Sequence, residues 1–449
     1  MNFTIPPSPS RVRNNNSSSP LKREGWDGGG MFPNNERSIS HSVINPHLNP
    51  PPSRGRELVF ILGFFILLLG ATAAYANNLP INWHDLPEPY ATPSAVNPPV
   101  VISRPPGATL AVPAGFHVEE YLSGFDAPRF MVSGPGNEIL LSDMAAGIVY
   151  VIHDKKATPL ITNLSLPYGL ALYKNWLYVA EASSVKRYAY DPGARSAGKG
   201  EEIIPLRRYF GGHYTRSILF DEKNDKLYLT VGAGSNVGAG EAPIRAAISR
   251  YNPDGSGFEL FATGIRNPIG LCWYPGTNDL WITANERDGL GDDLVPDYLT
   301  QVTPGGFYGW PYAYTGPHED PHHKGKAPKL VRKTLYPDVL LGSHAGAFDL
   351  LFYTGKQFPE KYRGSAFVAL HGSWNRSKRV GYKLVFIPFK DGKPQTGPED
   401  FLTGWMLGED KQEVWGRPVG LLQLPDGSLL VSDDGAGKLW RVSYTGTNK

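Results

Sequence analysis

The chain has a single cysteine, Cys272, among its 449 residues, so no intrachain disulfide can form. Cys272 lies in the apolar run Gly270-Leu271-Cys272-Trp273 and reads as a small core side chain rather than a nucleophile. An excess of one charge is also missing. Lys and Arg number 44 against 42 Asp and Glu, a formal net charge of +2 with neither sign concentrated. The electrostatic footprint of a nucleic-acid binder is therefore absent, and no nucleic-acid partner is expected. Long helices are not expected either, because 51 Gly and 41 Pro divide the chain into many short elements. With 41% hydrophobic residues there is still ample material for a core, and the balance points to an all-β fold.

Long apolar runs are scarce as well. The one that stands out, Leu58 to Leu69, follows Arg54 and Arg56 and precedes Ala74-Tyr75-Ala76. A basic flank, about a dozen apolar residues and an Ala-x-Ala end form a secretory signal with cleavage after Ala76. The same segment, 57–76, approaches the roughly 20 residues that span a bilayer, so an uncleaved membrane anchor is the competing reading. Both readings place the globular part outside the cytoplasm, periplasmic or secreted. Residues 1–56 are rich in Asn, Ser, Pro and Arg, too polar to offset the entropy of ordering, and are expected to form a disordered leader. Their length ahead of an export signal is unusual, and an over-extended start would account for it. Residues 77–112, Pro-rich from Leu86 onward, read as an extended linker.

From Phe116 one pattern recurs: a polar or Pro-containing step, a short apolar strand, a Gly, Asn or Asp turn, a second strand with a polar end, then a third. The copies open at Arg129, Tyr168, His213, Arg266, His344 and Arg417, and the last is the cleanest. About six copies at a spacing of roughly 50 residues suit the blades of a propeller. A six-bladed β-propeller over 113–445 is the expectation, with Phe116 to Leu122 as the outer strand of the last blade.

In such a ring the residues before each first strand converge on one mouth of the channel. Here they are Arg129, His213 and Arg216, Arg266 and Asn267, His344 and Arg417. Each alone reads as a salt-bridged or capping side chain, but their shared repeat position suits a funnel for a planar anion, because guanidinium groups grip carboxylates and stack on flat rings. His213, after the loop-marking Gly211-Gly212, has the pKa range of a general base.

Asn285-Glu286-Arg287-Asp288-Gly289-Leu290-Gly291-Asp292-Asp293 gathers oxygens that suit a hard cation such as Ca²⁺, without EF-hand spacing; a solvated acidic loop is the plainer alternative. The aromatic loop Gly305 to Tyr312, with Tyr308 and Trp310, suits either a pocket wall or core packing. His318, His322 and His323 lie in a polar Pro- and Lys-containing stretch that reads as a loop rather than a metal site.

Four of these runs, with His213 upstream, carry a resemblance. Gly264-Ile265-Arg266-Asn267-Pro268, Asn285-Glu286-Arg287-Asp288-Gly289, Tyr308-Gly309-Trp310-Pro311 and His371-Gly372-Ser373-Trp374-Asn375-Arg376 resemble the glucose/sorbosone dehydrogenases that depend on pyrroloquinoline quinone (PQQ), above all the sorbosone dehydrogenase-like branch. The likeness extends over about 113–444. It implies a six-bladed propeller that binds PQQ and Ca²⁺ above the channel and oxidises a carbohydrate. By that resemblance His213 is the general base, and Arg266 and Asn267 lie beside the quinone oxygens. Arg417 and Arg376 would hold PQQ carboxylates, Tyr308 and Trp310 would wall the cofactor, and Asp288 and Gly289 would offer carbonyls to Ca²⁺. The sequence departs at Ile269, where glucose enzymes carry a polar contact, and in the stretch His371 to Arg379, which replaces a family lysine. A propeller lactonase, which would need a carboxylate-rich shell, and a non-catalytic ligand-binding propeller are the competing functions. The electron acceptor is unspecified, and a homodimer is left open.

Overall fold

The computed structural model describes residues 83–446. The polar leader and the apolar run Leu58 to Leu69 lie outside the described residues. Among those described, no helix is long and apolar enough to cross a membrane.

Six antiparallel sheets form the blades of a β-propeller. Blade 1 runs from Pro128–Ser133 to Lys156–Ile161, and blade 2 from Pro167–Tyr173 to Glu201–Pro205. Blade 3 runs from Ile218–Asp221 to Glu259–Thr263, and blade 4 from Asn267–Trp273 to Val339–Ser343. Blade 5 runs from Ala347–Phe352 to Glu399–Leu402. Blade 6 takes Pro418–Gln423, Leu429–Asp433 and Lys438–Tyr444 from the carboxy-terminal end and its outer strand, Phe116–Ser123, from the other end of the domain. Phe116 opposes Tyr444 in that pairing and packs edge-on against Phe358, Tyr362 and Phe401, so apolar burial and a completed hydrogen-bond ladder close the ring together.

One irregularity recurs and positions the site. The innermost strand bulges against its neighbour between Pro128 and Met131, Pro167 and Leu170, Pro268 and Leu271, Ala347 and Leu350, and Pro418 and Leu421. A bulge leaves backbone groups without ladder partners and re-aims a side chain. Second-strand hydroxyls supply the partners. Phe130 N donates to Ser142, Gly270 N to Thr283 and Gly420 N to Ser432. The same hydroxyls reach the adjacent blade: Ser142 donates to Tyr168 O, Ser432 to Arg129 O and Thr283 to Phe348 O. Blades therefore touch by backbone here, which is why glycine follows. A Cβ on Gly420 would lie 2.3 Å from Arg129 O, and one on Gly270 2.7 Å from Phe348 O.

The bulges turn Phe130, Tyr168, Ile269, Phe348 and Val419 into one buried cluster. Ile269 thus belongs to an apolar floor shared by five blades. Polar residues from the same strand starts stand next to it, and the site is built there.

Residues 83–112, expected as a linker, run extended but bound to the propeller. Val100 and Val101 pair in parallel with Glu413 and Val414, and Ala111 bridges Thr403.

Candidate active site

A cavity of about 580 Å³, open mouth included, is lined by His213, Thr215, Arg266, Asn267, Asn285, Glu286, Asp288, Asp297, His344, Gly346, Phe348, His371, Gly372, Trp374 and Asn375. All come from the entries and loops of blades 3, 4 and 5.

His213 is buried, with Nδ1 2.7 Å from Ala233 O. A carbonyl only accepts, so Nδ1 carries the proton and Nε2 is left as the basic nitrogen. Burial, and then the charge of Arg266, push its pKa down to about 3, so the imidazole stays neutral at working pH. Gly232 makes room for it, since a Cβ there would stand 2.7 Å from His213 Cβ and 2.4 Å from Asn267 Oδ1.

Arg266 is fixed on every side. It donates to Glu286 O at 2.8 Å and to Asn236 Oδ1 at 3.0 Å, and pairs with Asp288 Oδ2 at 3.0 Å. Asn375 Nδ2 lies 2.5 Å from Asp288 Oδ1 and 3.1 Å from His344 Nδ1, and His344 Nε2 lies 2.9 Å from Gly291 O. Burial would raise the Asp288 pKa, but Arg266 and His344 hold it below the ordinary carboxylate value.

Glu286 and Asp297 are of another kind. Burial drives the Glu286 pKa up to about 8 and the Asp297 pKa up to about 6. Asp297 is occupied as an acceptor for Glu286 N, Gly346 N and Ala347 N, whereas Glu286 Oε1 and Asn267 Oδ1 are buried without a hydrogen-bond partner.

Of the expected site residues, the structure brings His213, Arg266, Asn267, Asp288 and His344 together. The rest stand elsewhere. Arg417 lies beneath the cavity wall, 3.4 Å from both His371 O and Gly372 O. Arg129 pairs with Asp434 at 2.8 Å, and His371 reaches the same carboxylate at 2.9 Å. Burial opposes the ionised form of Asp434, but Arg129, His371 and Arg417 hold its pKa far below the ordinary range. Arg216 spends its guanidinium on the carbonyls of His213, Thr215 and Tyr209. The cationic funnel read from the sequence is therefore largely neutralised from within.

Four further expected residues, Arg376, Tyr308, Trp310 and Gly289, do not line the cavity. Arg376 pairs with Asp293 at 2.6 Å on the outer side of its loop. Tyr308 is a core residue that donates to Gln301 O, and buried Trp310 donates to Asn236 O. Gly289 is exposed and outside the lining. The sequence reading also underrated Glu286, Asn375 and Asp434. Glu286 and Asn375 stand inside quoted motifs, and Asp434 inside an Asp-Asp doublet, but their partners lie in other blades.

The comparisons with known proteins agree with this architecture. A family model described as TrAA12-like matches residues 110–306 and 326–445. An uncharacterized protein of Borreliella burgdorferi is 30% identical over 75% of this chain and 91% of its own length. A pyrroloquinoline quinone-dependent pyranose dehydrogenase of Coprinopsis cinerea is 23% identical over 75% of this chain, which spans 55% of that longer protein. The holo structure of the PQQ domain of the Coprinopsis cinerea pyranose dehydrogenase superposes with a TM-score of 0.64 at 19% identity, covering 78% of this chain and all of that one.

Proposed function

The chain belongs to the TrAA12-like family of PQQ-dependent sugar dehydrogenases, and on that premise we propose that it oxidises a hydroxyl of a sugar, sugar aldehyde or similar alcohol. The observation that carries the reading is His213, neutral and buried beside Arg266 in a cavity with unpartnered polar atoms. What favours a flat anionic ring is the charge of Arg266 and the partly exposed indole of Trp374 in the lining. Arg266, Asn267 and Trp374 would hold PQQ there.

Bound PQQ supplies an electrophilic quinone that accepts hydride. His213 Nε2 takes the hydroxyl proton as the C–H bond is broken. Arg266 stabilises negative charge that develops beside it. An anion in the cavity also favours the imidazolium form, raising the basicity of His213 when it is needed.

Of the two residues expected to face calcium, Asp288 is already engaged. Asp288 O already accepts from Asn236 Nδ2, and its carboxylate is held by Arg266 and Asn375. Among the described residues, no three His, Cys, Asp or Glu side chains are grouped to hold a metal. In this reading residues 57–76 direct export.

The test is titration of PQQ into purified protein, with and without Ca²⁺, followed by absorbance and by dye-linked turnover on a panel of aldoses. Saturable binding, with turnover abolished in His213→Ala, supports the quinoprotein reading. No binding at micromolar cofactor overturns it.

A further inference from the structure

The bound segment ahead of the propeller contacts the two loops that close the cavity. Tyr90 N donates to Leu290 O at 2.7 Å, Asp292 N to Thr92 Oγ1 at 2.9 Å and Gly291 N to Ser94 Oγ at 3.0 Å. The approach is close enough that a Cβ on Gly291 would lie 2.6 Å from Thr92 O. This loop presents Asp288 to Arg266.

Asn97 engages the second loop with its backbone and both ends of its amide. Its N–H donates to Trp374 O at 2.8 Å, and Nδ2 donates to Arg376 O at 3.0 Å and Ser377 O at 3.2 Å. Its backbone oxygen and Oδ1 each accept from Arg379 Nη2 at 3.1 Å, and Oδ1 also accepts from Gln412 at 3.0 Å. Arg379 is fully buried and donates onward to Ser373 O at 3.0 Å. This loop presents Trp374 and Asn375 to the cavity. The two loops meet inside through Asn375 and Asp288, and outside through Arg376 and Asp293.

Residues 90–102 lie wholly outside the stretch matched by the family model, which begins at residue 110. The propeller's ladders are complete without them, since none of its six blades uses a strand from this segment. What they add is a further set of bonds to loops that are otherwise held to each other, to the blade ends and to neighbouring loops through Arg287–Asp320, Asn236–Asp288 and Arg379 to Lys411 O.

We propose that residues 90–102 are a clamp that sets the width of the cavity, with Asn97 the positioning residue for Trp374 and Asn375. The clamp acts on the sugar oxidation proposed above through the placement of those two side chains, and that part rests on the quinoprotein reading. Its effect on the loops does not.

Two measurements on the full chain separate the claims. Hydrogen–deuterium exchange without cofactor compares wild type, Asn97→Asp and Asn97→Ala. The Asp variant keeps the acceptor for Arg379 and Gln412 and loses donation to Arg376 O and Ser377 O. Exchange in 285–293 and 371–379 is expected to rise about tenfold in Asn97→Ala and less in Asn97→Asp, with blades 1 and 2 unchanged. Unchanged exchange in both loops overturns the clamp, as does a uniform rise over all blades. Kinetics then read the split: kcat/KM is expected to fall by about tenfold or more in Asn97→Ala, mainly through KM, with partial recovery in Asn97→Asp. Loosened loops with unaltered kinetics overturn the positioning role. Absence of turnover in the wild type refutes the proposed function and leaves the exchange result to judge the clamp.

Discussion

The two halves of the ring share a bulged inner strand, which only blade 3 lacks, and use it to different ends. Blades 3, 4 and 5 supply every lining residue of the cavity, while blade 6 backs its wall, Asp434 holding His371 and Arg417 reaching His371 O and Gly372 O. There Arg129 also meets Asp434. The difference follows from loop length rather than from the inner strands. In blade 1 the turn from Asp143 to Ile148 is short, whereas blades 4 and 5 carry the long segments after Asn285 and Leu370 that bring Asp288, Trp374 and Asn375 over the channel. A propeller can thus devote half its circumference to rigidity and half to chemistry without altering its blade plan.

The contrast can be broken from either side. The largest effect is expected on the chemical half: His213→Gln should lower kcat by about 10²–10⁴-fold, the range removed with a general base, while PQQ absorbance titration shows binding retained. On the rigid half, Asp434→Ala strands Arg129 and His371 in a site where the paired side chains are 4% and 9% exposed. Chemical denaturation should register a loss of about 3–5 kcal/mol, typical of a broken buried pair. A loss confined to activity would show that this half is not merely structural. Gly420→Ala pushes a methyl group into Arg129 O and should cost about 1–3 kcal/mol by the same assay.

The halves also differ in pH response. Asp434 has a folded pKa below its unfolded value, so its stabilisation is present above about pH 4 and lost as pH falls below that. Glu286 has the opposite sign. Its folded pKa of about 8 exceeds the unfolded value, so stability is greatest below about pH 4 and drains as pH rises towards the folded value. Urea midpoints at pH 5 and pH 8 should therefore converge in Glu286→Gln relative to wild type, and an unchanged difference would remove Glu286 from the account. The smallest effect is expected for Arg250→Ala, whose partner Glu259 is half exposed, at about 1 kcal/mol or less in thermal unfolding.

The blades were legible because apolar alternation and turn residues repeat along the chain, and the closing strand from Phe116 announced itself by the same pattern. His213, Arg266 and Asn267 were legible through their repeat position. Charge balance was not. Asp434 neutralises Arg129 from the other end of the domain, and nothing local in the sequence marks such a pairing. Tyr308 and Trp310 illustrate a second blind spot. An aromatic loop looks the same whether its rings face a ligand or a core, and here the hydroxyl and indole N–H each found a backbone carbonyl.

The pairing of Phe116–Ser123 with Lys438–Tyr444 has a bearing on biosynthesis. During translation the first strand of the domain must wait, unpartnered, until the last has left the ribosome. The sixth sheet is therefore completed last, and a chain interrupted anywhere before Lys438 keeps an open edge that quality-control proteases can grip. Joining the ends of the domain makes possession of the whole message a condition of a sealed ring.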